Sequence, residues 1–184
     1  MVVSVIPRYE FRIFGNDLAK YESKIKKLSS KEMTRQMDSV YLLTPWKRKN
    51  NVKIREGVMD IKVLEQDHLD LQQWNPFLVG EFPLDLKQFI NEVVTVDPDL
   101  AIAYVWKTRH AYTVANCITE IAEIKVNGAA IKTICIESEN PKNVIEAKKL
   151  LTIDGKVENV SYPLALKRIM GLTALPESWN SIEF

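Results

Sequence analysis

The residues of this chain that could do chemistry are cations spaced two apart within stretches that read as strands. Lys53 and Arg55 fall in NVKIREGVMDIKV, residues 51–63, with Lys62 further along the same stretch. Lys107 and Arg109 fall in AIAYVWKTRHAYTV, residues 101–114, and Arg8 and Arg12 flank Glu10 in RYEFRIF. Carboxylates follow at Glu120 and then at Glu137 and Glu139. Side chains alternate across a pleated strand, so residues two apart share a face. Brought into one space, these cations would hold a polyanion.

The elements that must position them can be read from turns and periodicity. Glu56-Gly57 supplies a tight hairpin turn, because Gly57 tolerates the positive φ such turns need. That turn sets Lys53 opposite Asp60, Ile54 opposite Met59 and Arg55 opposite Val58. One side of the hairpin then carries Val52, Ile54, Met59 and Ile61, and the other carries Lys53, Arg55, Asp60 and Lys62. Asn127-Gly128 is the strongest hairpin signal in the chain. It sets Glu123 against Lys132 as an outward ion pair and Glu120 against Cys135, with Glu137 diagonal to Glu120.

The remaining elements follow in order. Tyr9 to Phe14 is a first strand stopped by Gly15-Asn16. Leu18, Tyr21, Ile25 and Leu28 recur at helical spacing, which predicts an amphipathic helix over 17–28 with Asn16 as N-cap. Ser29 and Glu32 resemble a capping box, and Met33 and Met37 extend the apolar stripe. Ser39 to Leu43 reads as a short strand, and Trp46 to Asn50 as a basic loop. Residues 65–79 lack clear periodicity. Leu86, Phe89, Ile90 and Val93 suit a helix that ends before Asp97-Pro98. Pro141 opens a helix over about 142–151, residues 152–160 form a loop or short hairpin, and Pro163 sits in the first turn of a short helix ending near Gly171. The tail from Leu175 is irregular and packed by Trp179 and Phe184.

Composition narrows the class. The chain has 184 residues, 46% hydrophobic and 27% charged, which suits one soluble domain with a sizeable core. Lys and Arg number 25 against 24 acidic residues, so any basic site must be local and concentrated by the fold. No apolar run approaches a membrane span, and MVVSVIPRYEF reads as neither anchor nor secretory signal. Cys117 and Cys135 are expected to be buried free thiols, which predicts a cytoplasmic protein. His68 and His110 form no ligand spacing with them. No zinc motif, phosphate-binding glycine loop, dinucleotide fingerprint or nucleophile elbow is present.

Charges in the middle of a sheet are costly unless paired or hydrated. Two architectures meet that demand. An open antiparallel sheet can turn its charged side to solvent and its apolar side to helices. A sheet can instead close on itself, with charges lining a wet interior and helices covering the outside.

The order of these features resembles the CYTH superfamily of triphosphate tunnel enzymes, over roughly residues 5–155. Arg8-Tyr9-Glu10-Phe11-Arg12 matches an E-x-E-x-K first strand, Lys53-Ile54-Arg55 a basic pair, and Lys62 a following single lysine. Lys107-Thr108-Arg109 matches a K-x-R strand, Glu120 an acidic strand, and Cys135-Ile136-Glu137 an E-x-E strand. The resemblance implies an α+β fold: a closed antiparallel tunnel of about eight strands with helices packed outside. It implies one domain over 1–184, with the C-terminal helix and tail at 156–184. It implies that Arg12, Lys53, Arg55, Lys62, Lys107 and Arg109 clamp the phosphates of a polyphosphate or phosphorylated small molecule. It also implies that Glu10, Glu120 and Glu137, with Glu139 next in line, hold Mg²⁺ or Mn²⁺ to support phosphohydrolase chemistry.

Two departures bear on that last implication. Arg8 and Cys135 stand where the family pattern has glutamates, and an arginine there repels a divalent ion. The anion clamp is therefore better kept than the metal site. Three functions compete: a tunnel that binds and hydrolyses triphosphates, a non-catalytic module that grips a phosphorylated ligand or partner, and an RNA-binding sheet. Against the third, Tyr104 and Trp106 lie on the opposite face from Lys107 and Arg109, so stacking rings and cations do not converge.

Overall fold

A computed structural model describes residues 6–46, 49–81 and 99–174. The sheet closes on itself. Its strands are β1 (Arg8–Gly15), β2 (Met33–Leu43), β3 (Asn50–Arg55), β4 (Val58–His68), β5 (Leu71–Glu81), β6 (Ala101–Val114), β7 (Cys117–Val126) and β8 (Ala129–Ser138). They form one closed antiparallel barrel in the order β1-β5-β4-β3-β2-β6-β7-β8, with β8 returning to β1. Of the two architectures open to the sequence, the closed one is adopted. Closure leaves no edge strand to template pairing with another chain.

Both hairpin turns form as the sequence predicts. Glu56 and Gly57 have φ of 52° and 74°, and Lys53 faces Asp60, Ile54 faces Met59 and Arg55 faces Val58. Asn127 and Gly128 have φ of 46° and 91°, and Glu120 faces Cys135. Glu123 does face Lys132, but the lysine ammonium goes instead to Glu22, 3.1 Å away on the first helix.

Other expectations are corrected. The first helix, α1, runs Ala19–Leu28 with Leu18 at its N-cap and no capping side chain, so Asn16 does not cap it. Met33 and Met37 do not extend that helix: they belong to β2, which pairs with β6 along its whole length. Four-residue spacing fits a strand face as well as a helix face, and pairing with β6 decides between them. Residues 65–79 are the end of β4 and most of β5, joined through Leu69 and Asp70 at φ of 54° and 61°. That turn has no glycine or asparagine to announce it. The helix expected around Leu86 to Val93, the Trp179 and Phe184 packing and part of the basic 46–50 loop lie outside the described residues.

Even positions of β1 point inward and odd ones outward. Phe11 and Ile13 join Ile134 and Ile136 of β8 and Val114 of β6 in a core on the outer wall. Against it pack Tyr21 and Ile25 of α1, and Val144 and Ala147 of α2 (Pro141–Leu150). Asn140 caps α2 by accepting a hydrogen bond from the Lys142 backbone N–H. A second core lies at one end of the barrel: Tyr41 and Leu43 of β2, Ala103 and Val105 of β6, and Ile124 and Val126 of β7. Tyr162 and Leu166 of α3 (Tyr162–Ile169) complete it, so α3 stoppers that end. Cys117 and Cys135 are buried and free, as expected. Among the described residues no helix is long and apolar enough to cross a membrane.

One seam was not foreseen. β1 pairs with β5 only from Arg8 to Glu10, and beyond that point Asn159 and Val160 take the place of a strand. The Arg12 N–H donates to Asn159 Oδ1 at 2.9 Å, the Val160 N–H donates to the Arg12 carbonyl at 2.8 Å, and Asn159 Nδ2 donates to the carbonyls of Glu10 and Asp70.

Ile25 is fully buried between α1 and the outer wall. Ile25→Ala is expected to lower stability by about 2–5 kcal/mol in urea titration, the cost of a large-to-small core change. A loss below about 1 kcal/mol would show that α1 is not part of the core.

Candidate functional site

Inside the barrel lies a cavity of about 400 Å³ lined by eight cationic side chains: Arg8, Arg12, Arg35, Lys53, Arg55, Lys62, Lys107 and Arg109. Glu10, Glu120 and Glu137 line it too. Every sequence-predicted cation and each of the three leading carboxylates therefore faces one space. Glu139 is exposed beyond the end of β8 and is not part of the lining.

Glu120 on β7 is the hub. Its Oε1 accepts from Arg12 Nη1 at 3.1 Å and from Lys107 Nζ at 2.6 Å, and its Oε2 accepts from Arg109 Nε at 2.7 Å. Arg12 also donates to Glu10 Oε1 at 2.7 Å. Burial pushes the Glu120 carboxyl up, but Lys107, Arg12 and Arg109 outweigh it and hold its pKa at about 2. Burial depresses the Lys107 ammonium despite Glu120, and depresses Lys53 despite its 2.7 Å pair with Asp60. Both lysines are thus readied to gain from a further anion.

Among the described residues two lining cations are left without a carboxylate: the Arg55 guanidinium meets only the Met37 sulfur, at 3.1 Å, and Lys62 makes no hydrogen bond or ion pair. Desolvated charge without a partner is costly, and an incoming anion relieves it.

The carboxylates do not gather into a set of three free groups for a divalent ion. Glu10 and Glu137 stand directly opposite each other on β1 and β8. Yet one oxygen of Glu10 is taken by Arg12, both oxygens of Glu120 are taken, and Arg8 Nη1 stands 3.5 Å from Glu137 Oε1. Among the described residues no three of His, Cys, Asp and Glu gather into a group that could hold a metal. An ion entering here would meet guanidinium groups first. The residues present do not fit Mg²⁺ or Mn²⁺.

Several lining residues escaped the sequence reading. Arg35, Met37, Ser39 and Tyr41 line the cavity from β2 at strand spacing, a signal hidden by the helical reading of Met33 and Met37. Tyr162 forms the floor from α3: its ring stacks on Tyr41 at 5.5 Å and lies under Arg12 and Lys107 at 4.7 and 5.3 Å. Its hydroxyl is buried and finds no hydrogen-bond partner among the described residues. Tyr104 is exposed on the outer face, and Trp106, about one-third exposed, is not in the lining, so rings and cations do not converge as an RNA-binding face requires.

No protein-family model and no curated protein matches the sequence. Solved structures do resemble the fold. A conserved hypothetical protein from Pyrococcus furiosus has a TM-score of 0.56 at 18% identity, covering 85% of this chain and 99% of its own. A putative adenylyl cyclase from Hippeastrum, described as having a dominant triphosphatase activity, has a TM-score of 0.54 at 13% identity, covering 92% of this chain and 98% of its own. A putative adenylate cyclase from Bacillus halodurans has a TM-score of 0.52 at 12% identity, covering 89% and 98%. At these identities the likeness is one of fold. The chain has the closed eight-stranded antiparallel barrel that the CYTH resemblance implied.

The hub makes stability depend on pH. An unfolded glutamate titrates near 4.5, whereas Glu120 in the fold titrates at about 2. The contribution is therefore whole above pH 4.5 and is lost as pH falls toward 2, because only the unfolded chain takes up the proton in between. In urea titrations the stability gap between wild type and Glu120→Gln is expected to narrow by about 2 kcal/mol from about pH 6 to pH 3. A gap that stays constant would deny Glu120 its anchoring part.

Proposed function

We propose that this protein grips the phosphates of a triphosphate- or polyphosphate-bearing small molecule inside the barrel. The observation that carries this reading is the convergence of eight cations on one cavity of about 400 Å³, a volume suited to a small ligand. Guanidinium forks match phosphate oxygens two at a time, and ammonium groups add compact charge. Arg12, Lys107 and Arg109 are held in place by Glu120 before any ligand arrives, so little side-chain freedom is lost on binding. Arg55 and Lys62 supply the charge still unspent.

The triphosphatase description of the Hippeastrum fold neighbour agrees with the choice of ligand class. Metal-assisted hydrolysis has less support, because Glu120 is fully engaged, one oxygen of Glu10 is held by Arg12, and Arg8 stands beside Glu137. The favoured reading is a binding module on a CYTH-like barrel. The buried free thiols suit a reducing, cytoplasmic setting.

Isothermal titration with tripolyphosphate is expected to show binding, weakened by Arg55→Ala and by Lys62→Ala about 10- to 100-fold each, the worth of a charge-assisted hydrogen bond. Absence of binding by the wild type, or full affinity in both variants, would remove the proposal. In the same buffers with Mg²⁺ or Mn²⁺, orthophosphate release is expected to stay at the rate of tripolyphosphate alone. Turnover that needs the metal and disappears in Glu137→Ala would replace the module with an enzyme.

A further inference from the structure

We propose that Arg8 supplies the positive charge that a divalent ion would otherwise bring, so that the barrel closes on its phosphate ligand without metal. This rests on the polyphosphate-binding reading and sharpens it. Arg8 opens β1, lines the cavity and is the only cation within ion-pair distance of Glu137 among the described residues. Glu137 faces Glu10 across the strand pair, and two adjacent carboxylates invite a cation between them. The first of the pair is engaged by Arg12, and the second by Arg8 at 3.5 Å.

Position and freedom set Arg8 apart from Arg12 on the same strand. Its side chain is 44% exposed, against 8% for Arg12, so it stands at the rim. A long contact to one oxygen of Glu137 leaves most of its donors available, and it can swing onto a phosphate without breaking a tight pair. Charge counting points the same way. Eight cations face three carboxylates, Asp60 pairs with Lys53 and Glu56 pairs with Arg35, which leaves a surplus of three positive charges. A triphosphate group neutralises that surplus by itself. A divalent ion would add back charge the lining already supplies, and would have to settle beside a guanidinium that repels it.

Tripolyphosphate titrated into the full chain tests this in EDTA and again in Mg²⁺, with the Mg²⁺ bound by free ligand allowed for. The wild-type affinity in EDTA is expected to lie within about threefold of that in Mg²⁺. Arg8→Glu puts a third carboxylate beside Glu10 and Glu137. It is expected to bind at least about tenfold more weakly in EDTA and to recover when Mg²⁺ or Mn²⁺ is added. Arg8→Gln, which removes the charge without adding a ligand, is expected to weaken binding in both buffers without recovery. Circular dichroism checks that both variants fold; Arg8→Gln stands alone if Arg8→Glu does not. Wild-type binding that is tighter in Mg²⁺ by about tenfold or more would overturn the inference while leaving the grip intact. Unchanged affinity of a folded Arg8→Gln in EDTA would overturn it too. No binding in either buffer would instead sink the grip itself.

Discussion

A barrel can carry a ring of like charges inside only if something holds them against their mutual repulsion, and here one carboxylate, Glu120, holds three of them. Glu120 is buried with an oxygen count that matches its duties: two cations on one oxygen, a third on the other. The strands it joins are β1, β6 and β7, so the hub ties together the side chains of three staves as well as their charges. A buried ion pair is poor evidence of stability by itself, because desolvation offsets much of the attraction. Its worth here lies in orientation. Arg12, Lys107 and Arg109 cannot relax outward to water while Glu120 holds them, and the cavity stays positive for that reason.

The parts of this arrangement that were legible in the sequence are those fixed by local rules. Glycine at the two hairpin turns set the registers, and registers decided that Glu120 would meet Cys135 and that Lys53 would meet Asp60. Alternation then put Lys107 and Arg109 on one face. What stayed hidden depends on distant partners. The first half of β2 has no periodicity that excludes a helix, and only the length of its pairing with β6 makes it a strand. The β4–β5 turn uses Leu69 and Asp70, a leucine and an aspartate held at positive φ with no local signature. Asn159 looks like any loop asparagine until β1 parts from β5 and leaves backbone groups for it to satisfy. Tyr162 belongs to the cavity only because α3 folds across the end of the barrel.

The same split separates fold from chemistry. Alternation and turns suffice to build the barrel, and a chain sharing few residues with its structural neighbours builds it all the same. Chemistry is set by which residue occupies each inward position. Arg8 and Cys135 occupy two of those positions within regular pairing: Arg8 pairs with Trp74, and Cys135 with Arg12 and Glu120.

The stopper formed by Tyr162 and Leu166 has a bearing on what shape of guest the barrel can accept. A passage open at both ends would let a long polymer thread through and be gripped anywhere along its length. A blind well receives only what can enter tip first, so its occupant is recognised by a terminus and its reach is limited by the depth above the tyrosine floor. A short guest would fill such a well, whereas the interior links of a long one would remain outside it.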